Sequence, residues 1–134
     1  MRRVFADSLY WIALSHQRDQ WHTAALRVSQ TLRNAQIITT DEVLSEFLTA
    51  LRHAPQLRAA AAQQAESVLA SPFIKVIPQS RRSFEKGFSL YQARLDKKYS
   101  LIDCISMEAM RRNGITEILT HDGDFTREGF TILL

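Results

Sequence analysis

The length and composition of this chain predict a single folded domain with its own hydrophobic core. It has 134 residues, 46% of them hydrophobic, which is enough to bury a core without disulfide bonds or structural zinc. Its one cysteine, Cys104, has no partner within the chain, so we expect a buried, unreactive thiol and a reducing compartment such as the cytoplasm. Asp7 interrupts the N-terminal segment and no apolar run has membrane-spanning length, so we expect neither secretion nor membrane insertion.

The charge of the chain is mildly positive and unevenly distributed. The formal net charge is +3. Basic residues crowd the C-terminal half: Arg81, Arg82, Lys86, Arg94, Lys97, Lys98, Arg111 and Arg112. Clustered cations of this kind could follow a phosphate backbone, or they could be ordinary solvated helix faces.

The first half of the chain is predicted to contain two short strands, each followed by two helices. In chain order these are strand 4–6, helices 8–14 and 20–33, strand 36–39, a helix to about residue 53, and helix 55–70. Asp19 is a plausible N-cap of the second helix, and Thr39 to Glu42 has the spacing of a capping box. Pro55 suits the first turn of the last of these helices.

The second half of the chain continues the alternation. It is predicted to contain strand 73–77, a helix from 80 to about 95, a helix capped by Ser100 and ended by Gly114, and strands 115–120 and 130–134. Short apolar strands that alternate with helices indicate a parallel sheet covered on both faces. The expected fold class is therefore α/β.

Several acids fall where the functional crevice of such a sheet lies, beyond the carboxyl ends of its strands. Asp7 directly follows the first strand, and Asp122 and Asp124 follow the fourth. Glu46 lies in the helix after the second strand, and Asp103 lies in the first turn of the helix before the fourth. Each acid has an ordinary alternative role as a turn, loop or helix-cap residue, but four elements deliver an acid to the same edge.

Helical geometry separates the better candidates from their neighbours. Glu46 borders the apolar face of its helix, whereas Glu42 lies further round and is expected to serve as a cap. Asp103 projects between Met107 and Met110, where an acid is costly unless something compensates it. A capping box with Ser100 would also explain Asp103, and the sequence leaves both roles open.

A cluster of carboxylates predicts a bound cation. Two carboxylates about 4 Å apart repel by about 4 kcal/mol at an effective dielectric near ~20, so something positive must hold them together. Oxygen ligands without a well-placed histidine or cysteine favour Mg²⁺ or Mn²⁺. Such sites make a water nucleophilic and neutralise charge on a phosphoryl group.

Other motifs do not fit. The segment from Asp122 has Arg127 where an EF-hand needs glycine, and the chain has no glycine-rich phosphate loop. The histidines lack zinc-site spacing, although His121 could line the site without being a ligand. A phospho-accepting response-regulator domain would need a lysine after the last strand, which this chain lacks.

Four segments, in order along the whole chain, resemble the PIN-domain family of ribonucleases. The family pattern has an acid after the first strand, a glutamate in the helix after the second, an aspartate opening a late helix, and an acid after the fourth strand. The matching residues are Asp7, Glu46, Asp103 and Asp122. The resemblance implies a three-layer α/β/α fold with about five strands in the order 3-2-1-4-5, and Mg²⁺- or Mn²⁺-dependent hydrolysis of RNA by these acids.

The resemblance is strongest to VapC-type toxins of toxin–antitoxin pairs, which implies a homodimer and an inhibitory antitoxin partner. Ser8, Ser100 and Thr120 match hydroxyl residues often found beside the acids, and Asp124 stands where many relatives have another residue. We expect Lys97 and Lys98, just before the Asp103 helix, to contact RNA. A non-catalytic PIN-like module that binds RNA or protein, or a housekeeping RNA-processing nuclease, remains an alternative.

Overall fold

Five parallel strands form the central sheet. In the computed structural model, which describes residues 1–134, they are β1 (Arg3–Ala6), β2 (Gln36–Thr40), β3 (Ile74–Ile77), β4 (Glu117–Leu119) and β5 (Thr131–Ile132). Their order across the sheet is β3-β2-β1-β4-β5. The predicted α/β class and strand order are confirmed. Because the order reverses between β1 and β4, the carboxyl ends of these two strands border a crevice.

Seven helices surround the sheet. They are α1 (Ser8–Ser15), α2 (His22–Gln30), α3 (Asp41–Ala50), α4 (Pro55–Ala70), α5 (Arg81–Ala93), α6 (Leu101–Arg112) and α7 (Asp124–Arg127). Helix α1 packs against α2, α3 and α4, while α5 packs along α6. None of the helices combines the length and the apolar character needed to cross a membrane.

The central strands are apolar on both faces because both faces of the sheet are buried. Val4, Phe5 and Ala6 of β1 are fully buried, as are Ile118 and Leu119 of β4, because helices cover both faces of the sheet. Methionines of α6 and aromatic residues of α1 and α3 complete the same core cluster. Cys104 is buried as expected, and burial raises the pKa of its thiol to about 11.

Two predicted helix caps are wrong. Asp19 does not cap α2, which begins at His22; its carboxylate instead accepts a hydrogen bond from the Trp21 backbone N–H at 2.8 Å, in a turn before the helix. Thr39 does not cap α3, because its hydroxyl donates to the Ala6 carbonyl at 2.9 Å and ties β2 to β1. The cap is Thr40, which accepts from the Val43 N–H at 3.0 Å.

The other predicted elements are present and differ from the prediction at their ends, and one short helix was not predicted. Helix α4 begins at Pro55 and ends at Ala70 as expected, and Gly114 follows α6 with a φ of 66°. The segment expected to be a loop after β4 contains the short helix α7, and both β4 and β5 are shorter than predicted. Strand β4 starts late because the Ile115 N–H donates to the Met110 carbonyl at 2.9 Å in the turn after α6. Strand β5 starts after Phe130, whose N–H donates to the Phe125 carbonyl of α7 at 3.1 Å.

Candidate active site

Asp7 lies at the centre of the candidate site, at the carboxyl end of β1. It is only 3% exposed, and Thr120 at the end of β4 donates a hydrogen bond to its Oδ2 at 2.9 Å. Its other oxygen, Oδ1, is buried and has no hydrogen-bond partner. Burial raises the pKa of Asp7 to about 7, and the negative charges of Asp103 and Glu46 add to this shift.

Glu46 reaches the same place from α3. The hydroxyl of Ser8, buried at the start of α1, donates a hydrogen bond to Glu46 Oε1. Ser8 directly follows Asp7, so this contact ties the acid of α3 to the end of β1. Glu42, one turn earlier, turns away and accepts a hydrogen bond from Ser83 at 3.1 Å.

Asp103 forms the capping box that the sequence offered as one of its two roles, and its carboxyl group also lies near other acids. Its backbone N–H donates to the Ser100 hydroxyl at 3.0 Å, and its Oδ2 accepts from the Ser100 N–H at 3.1 Å, which completes a capping box. Desolvation, together with the charges of Asp122 and Glu46, nevertheless raises its pKa to about 6. A residue that only caps a helix would have its pKa lowered by those hydrogen bonds and by the helix dipole.

Asp122 and Asp124 are held by a tight turn after β4. Thr120, which donates to Asp7, also accepts from the Asp122 N–H at 3.2 Å, and Asp122 Oδ1 accepts from the Asp124 N–H at 2.9 Å. Asp124 forms an ion pair with Arg127 at 3.0 Å. The charge of Asp124 is therefore compensated within α7, unlike that of Asp122.

The fold thus brings Asp7, Glu46 and Asp103 into electrostatic contact, with Asp122 beside Asp103. No three of these side chains converge into a finished metal-binding group. The donor set still suits a hard divalent cation: it is all oxygen, its charges are uncompensated, and Asp7 Oδ1 is buried without a partner.

Two of the basic residues in the C-terminal half form ion pairs within the fold. Arg94 and Arg111 both bind Glu128, at 3.0 and 2.9 Å, and Tyr99 donates to the same carboxylate at 3.0 Å. These bonds lower the pKa of Glu128 to about 2 against the opposing effect of burial. Arg111 also lies 3.7 Å from Glu108, so two carboxylates offset the charges of the two arginines. No local sequence pattern indicates this group.

The two lysines expected to contact RNA lie on the surface before α6. Lys97 and Lys98 are exposed, and Lys97 lies 3.4 Å from the exposed Asp96. Such a surface pair contributes little stability, so both lysines stay available to a polyanion.

One aromatic contact at the site was not expected from the sequence. The ring of His121, between Thr120 and Asp122, stacks on the indole of Trp21 with centroids 4.5 Å apart and an angle of 7° between the planes. Trp21 is the residue before α2, one hundred positions earlier in the chain. His121 was expected to line the site, but no periodicity or motif singles out Trp21.

The fold and this arrangement of acids define a family of proteins. The PIN domain family model matches residues 4–130. The chain therefore belongs to the PIN-domain family, as its sequence predicted.

The similarity to VapC-type toxins is also confirmed. The chain is 29% identical over 127 residues to the 23S rRNA-specific endonuclease VapC20 of Mycobacterium tuberculosis, covering 95% of each chain. The crystal structure of that VapC20, described as a sarcin–ricin loop cleaving toxin, has a TM-score of 0.87 and 26% identity, covering 96% of each chain. VapBC2 from Rickettsia felis, bound to a DNA fragment from its promoter, shares the fold with a TM-score of 0.71 and 10% identity, covering 97% of this chain and 96% of that one.

Proposed function

We propose that this chain is an endoribonuclease that requires Mg²⁺ or Mn²⁺ and acts as the toxin of a toxin–antitoxin pair. The observation that carries the proposal is the group of mutually repelling carboxylates around Asp7, whose Oδ1 is buried without a partner. A fold that only binds RNA or protein has no physical reason to maintain this repulsion. Similarity to VapC20 over 95% of both chains supports the same conclusion.

The proposed ligands are Asp7, Glu46, Asp103 and Asp122. When bound, a divalent cation would lower the pKa of a water molecule and neutralise charge on the scissile phosphate. Thr120 and Ser8 orient Asp7 and Glu46 through their hydrogen bonds, and Ser100 fixes the backbone that carries Asp103. We leave Asp124 out of the ligand set because Arg127 already neutralises it.

Because the pKa values of two proposed ligands are raised, binding of a metal ion should release protons from them. Asp7 and Asp103, with pKa values of about 7 and about 6, hold protons in the metal-free protein well above the pH at which exposed aspartates lose them. A cation must displace these protons, so its affinity rises with pH through this range. We therefore expect activity at a fixed metal concentration to increase from about pH 6 to about pH 8.

The substrate we propose is ribosomal RNA, because VapC20 is described as specific for 23S rRNA and as cleaving the sarcin–ricin loop. The decisive experiment incubates the purified chain with a sarcin–ricin stem-loop RNA and with total ribosomal RNA, in Mg²⁺, Mn²⁺ or EDTA. We expect cleavage with either metal, none with EDTA, and a loss of at least ~100-fold for Asp7→Asn, in line with removing a metal ligand.

Glu66→Gln is the matched control, because it removes an equal charge from the exposed surface of α4, outside both the group of acids and the lysine pair. We expect this variant to retain full activity. If the wild-type chain binds these RNAs but cuts none of them with either metal, the non-catalytic binding module becomes the better assignment.

The toxin role needs a separate test, because a housekeeping nuclease would pass the cleavage assay. Induced expression of the wild-type chain should stop bacterial growth, whereas Asp7→Asn should not. Co-expression of the protein encoded next to it should restore growth if that protein is its antitoxin. Harmless expression of an active nuclease would favour the housekeeping role.

We also propose a homodimer, formed through an apolar stripe on α5. The stripe comprises Phe84, Phe88 and Tyr91 on α5 and Leu95 just beyond its end, which are 42%, 43%, 43% and 79% exposed. The spacing of the three residues on α5 places them on one face of the helix. Arg81, whose guanidinium lies 5.5 Å from the Phe84 ring centroid, and Glu85 provide charges of both signs beside them, which suit pairing with a second copy. A stripe of this kind on a monomer would be an aggregation risk.

Light scattering during gel filtration tests the dimer. Phe88→Glu should convert a dimer to a monomer, while Leu69→Glu, which changes another exposed apolar residue on α4, should not. A wild-type monomer that becomes a defined heteromer only with the antitoxin would assign the stripe to the antitoxin instead.

A further inference from the structure

Trp21 and His121 form a flat aromatic pair beside the proposed metal site. Their rings are nearly parallel, with centroids 4.5 Å apart and an angle of 7° between the planes. His121 lies between Thr120, which binds Asp7, and Asp122, one of the proposed ligands. The stack therefore joins the start of α2 to the residues that hold the acids.

The backbone on both sides of His121 is fixed. The Thr120 hydroxyl donates to Asp7 and accepts from the Asp122 N–H at 3.2 Å, so the turn that carries the imidazole is tied to the centre of the site. His121 is partly exposed, and Trp21 covers one of its faces. Because Trp21 covers one face of the imidazole, the part of the ring that can meet a ligand is its opposite face or its edges.

The indole ring of Trp21 contacts His121 through its flat face, and its N–H group forms no hydrogen bond. Its backbone N–H is bound by Asp19 at 2.8 Å, which fixes the residue at the entry to α2. Its indole Nε1, in contrast, is buried and has no acceptor. Because an unpaired buried N–H is unfavourable, phenylalanine should be tolerated at this position as long as a flat face is all that is needed.

We propose that the open face of His121 stacks on a nucleobase next to the phosphodiester that is cut, and that Trp21 is the positioning residue that holds the imidazole in place. Flat rings at the edge of a nucleic-acid site bind unpaired bases by stacking, whatever the base. The proposal rests on the proposed ribonuclease function. It adds that the RNA must present an unpaired base at the cleavage position.

The test compares His121→Ala, Trp21→Ala and Trp21→Phe with the wild type, on the sarcin–ricin stem-loop RNA and on the same RNA with abasic nucleotides flanking the cleavage position. Cleavage kinetics in Mg²⁺ give KM and kcat, and binding in EDTA gives Kd without turnover. We expect His121→Ala to raise KM and Kd on the order of tenfold for the intact RNA, with little change in kcat.

The abasic RNA isolates the stacking contact. The wild type should bind it on the order of tenfold more weakly than the intact RNA, while His121→Ala should bind both RNAs equally. Trp21→Ala should follow His121→Ala, and Trp21→Phe should follow the wild type because it keeps the flat face. Thermal melts of each variant identify any that fails to fold, and His121→Ala and Trp21→Phe suffice if Trp21→Ala is one of these.

Two results would overturn the proposal while leaving the nuclease intact. One is an unchanged KM and Kd in His121→Ala, and the other is an equal penalty for the abasic RNA in wild type and variant. If instead the wild type cleaves no RNA, the proposed function fails. The binding measurements in EDTA then decide alone whether His121 stacks on a base.

Discussion

At the scale of single residues, the candidate site is distinguished by the raised pKa values of two of its acids. Asp7 and Asp103 are buried beside other acids, so their carboxyl groups are harder to ionise than in an unfolded chain. Glu128 shows the opposite behaviour, because two arginines and Tyr99 stabilise its charge. The first group costs the fold stability at neutral pH, and the second contributes to it.

This difference predicts how stability depends on pH. The pKa of Asp7 rises from 3.8 to about 7 on folding and that of Asp103 from 3.8 to about 6, so between about pH 4 and 7 the folded state binds more protons than the unfolded state. The free energy of unfolding should therefore fall as pH rises through this window. For Asp7 alone the change is on the order of 3–4 kcal/mol.

Urea unfolding in EDTA at about pH 5 and at about pH 8 measures this change. Glu128 does not interfere, since its lowered pKa matters only in more acidic solution. Asp7→Asn should flatten most of the dependence, and Glu66→Gln, on the exposed surface of α4, should not. A wild-type stability that is constant across this range would contradict the buried, clustered carboxylates.

Asp103→Asn separates the two roles of that residue. Asparagine weakens the helix cap but removes a repelling charge, so we expect the metal-free stability to stay within about 1 kcal/mol of the wild type. Stabilisation by Mg²⁺, about 2.7 kcal/mol at about a hundredfold excess over Kd, should largely disappear together with activity. Thermal melts in EDTA and in a Mg²⁺ titration measure both effects. A variant that keeps the full Mg²⁺ response would remove Asp103 from the ligand set.

At the scale of elements, the close packing of α5 on α6 positions the start of the Asp103 helix. The two helices approach closely at Gly87, where a Cβ would lie 2.3 Å from Ile105 Cγ1 and 3.1 Å from the Ile105 backbone. No side chain fits there without a shift of one helix. Glycine lowers the helix propensity of α5 at this position, but it allows the contact.

Gly87→Ala should therefore destabilise the chain by about 1–3 kcal/mol, although alanine favours an isolated helix. Gly123→Ala is the control, because a Cβ there meets nothing within 4 Å. Urea unfolding should show the loss only in the first variant. Adding Ile105→Ala to Gly87→Ala should recover part of it, since this removes the nearest clashing atom. A Gly87→Ala variant as stable as wild type would show that α5 can move away freely.

At the scale of the whole molecule, the acids and the free cations lie on neighbouring segments. The site follows the carboxyl ends of β1 and β4, and Lys97 and Lys98 precede α6, which carries Asp103. Arg94 and Arg111 are occupied by Glu128, so these lysines are the better candidates for contact with phosphates. The net charge of +3 for the whole chain does not indicate this local excess of positive charge at the lysine pair.

Charge reversal of the lysine pair, Lys97→Glu with Lys98→Glu, should weaken RNA binding. Each lost phosphate contact should lower the slope of log Kd against log salt by roughly one. Arg52→Glu with Arg58→Glu, two exposed positions outside the site, changes the net charge by the same amount and is the control for net charge alone. Titrations of the stem-loop RNA at several salt concentrations measure the slopes. If the slope is the same for the wild type and the double variant, the lysines are only solvated surface.

The sequence by itself determined the α/β class, the chain order of the elements and the edge of the sheet where the acids lie. Apolar periodicity and caps such as Ser100 act over a few residues, so they can be read locally. The strand order and the candidate site residues were predicted from the resemblance to PIN domains, because four motifs in the family's chain order indicate that fold. The local sequence could not show which threonine caps α3, because the Thr39 hydroxyl donates to the carbonyl of Ala6 on the neighbouring strand β1.

Only the tertiary structure decided how the site residues interact. Thr120 and Asp7 are 113 positions apart, and Trp21 meets His121 across a similar distance. Such contacts depend on how helices dock on the sheet, which no local pattern encodes. Burial and neighbouring charge then set the pKa values of Asp7 and Asp103, because desolvation and repulsion exist only once the elements have packed together.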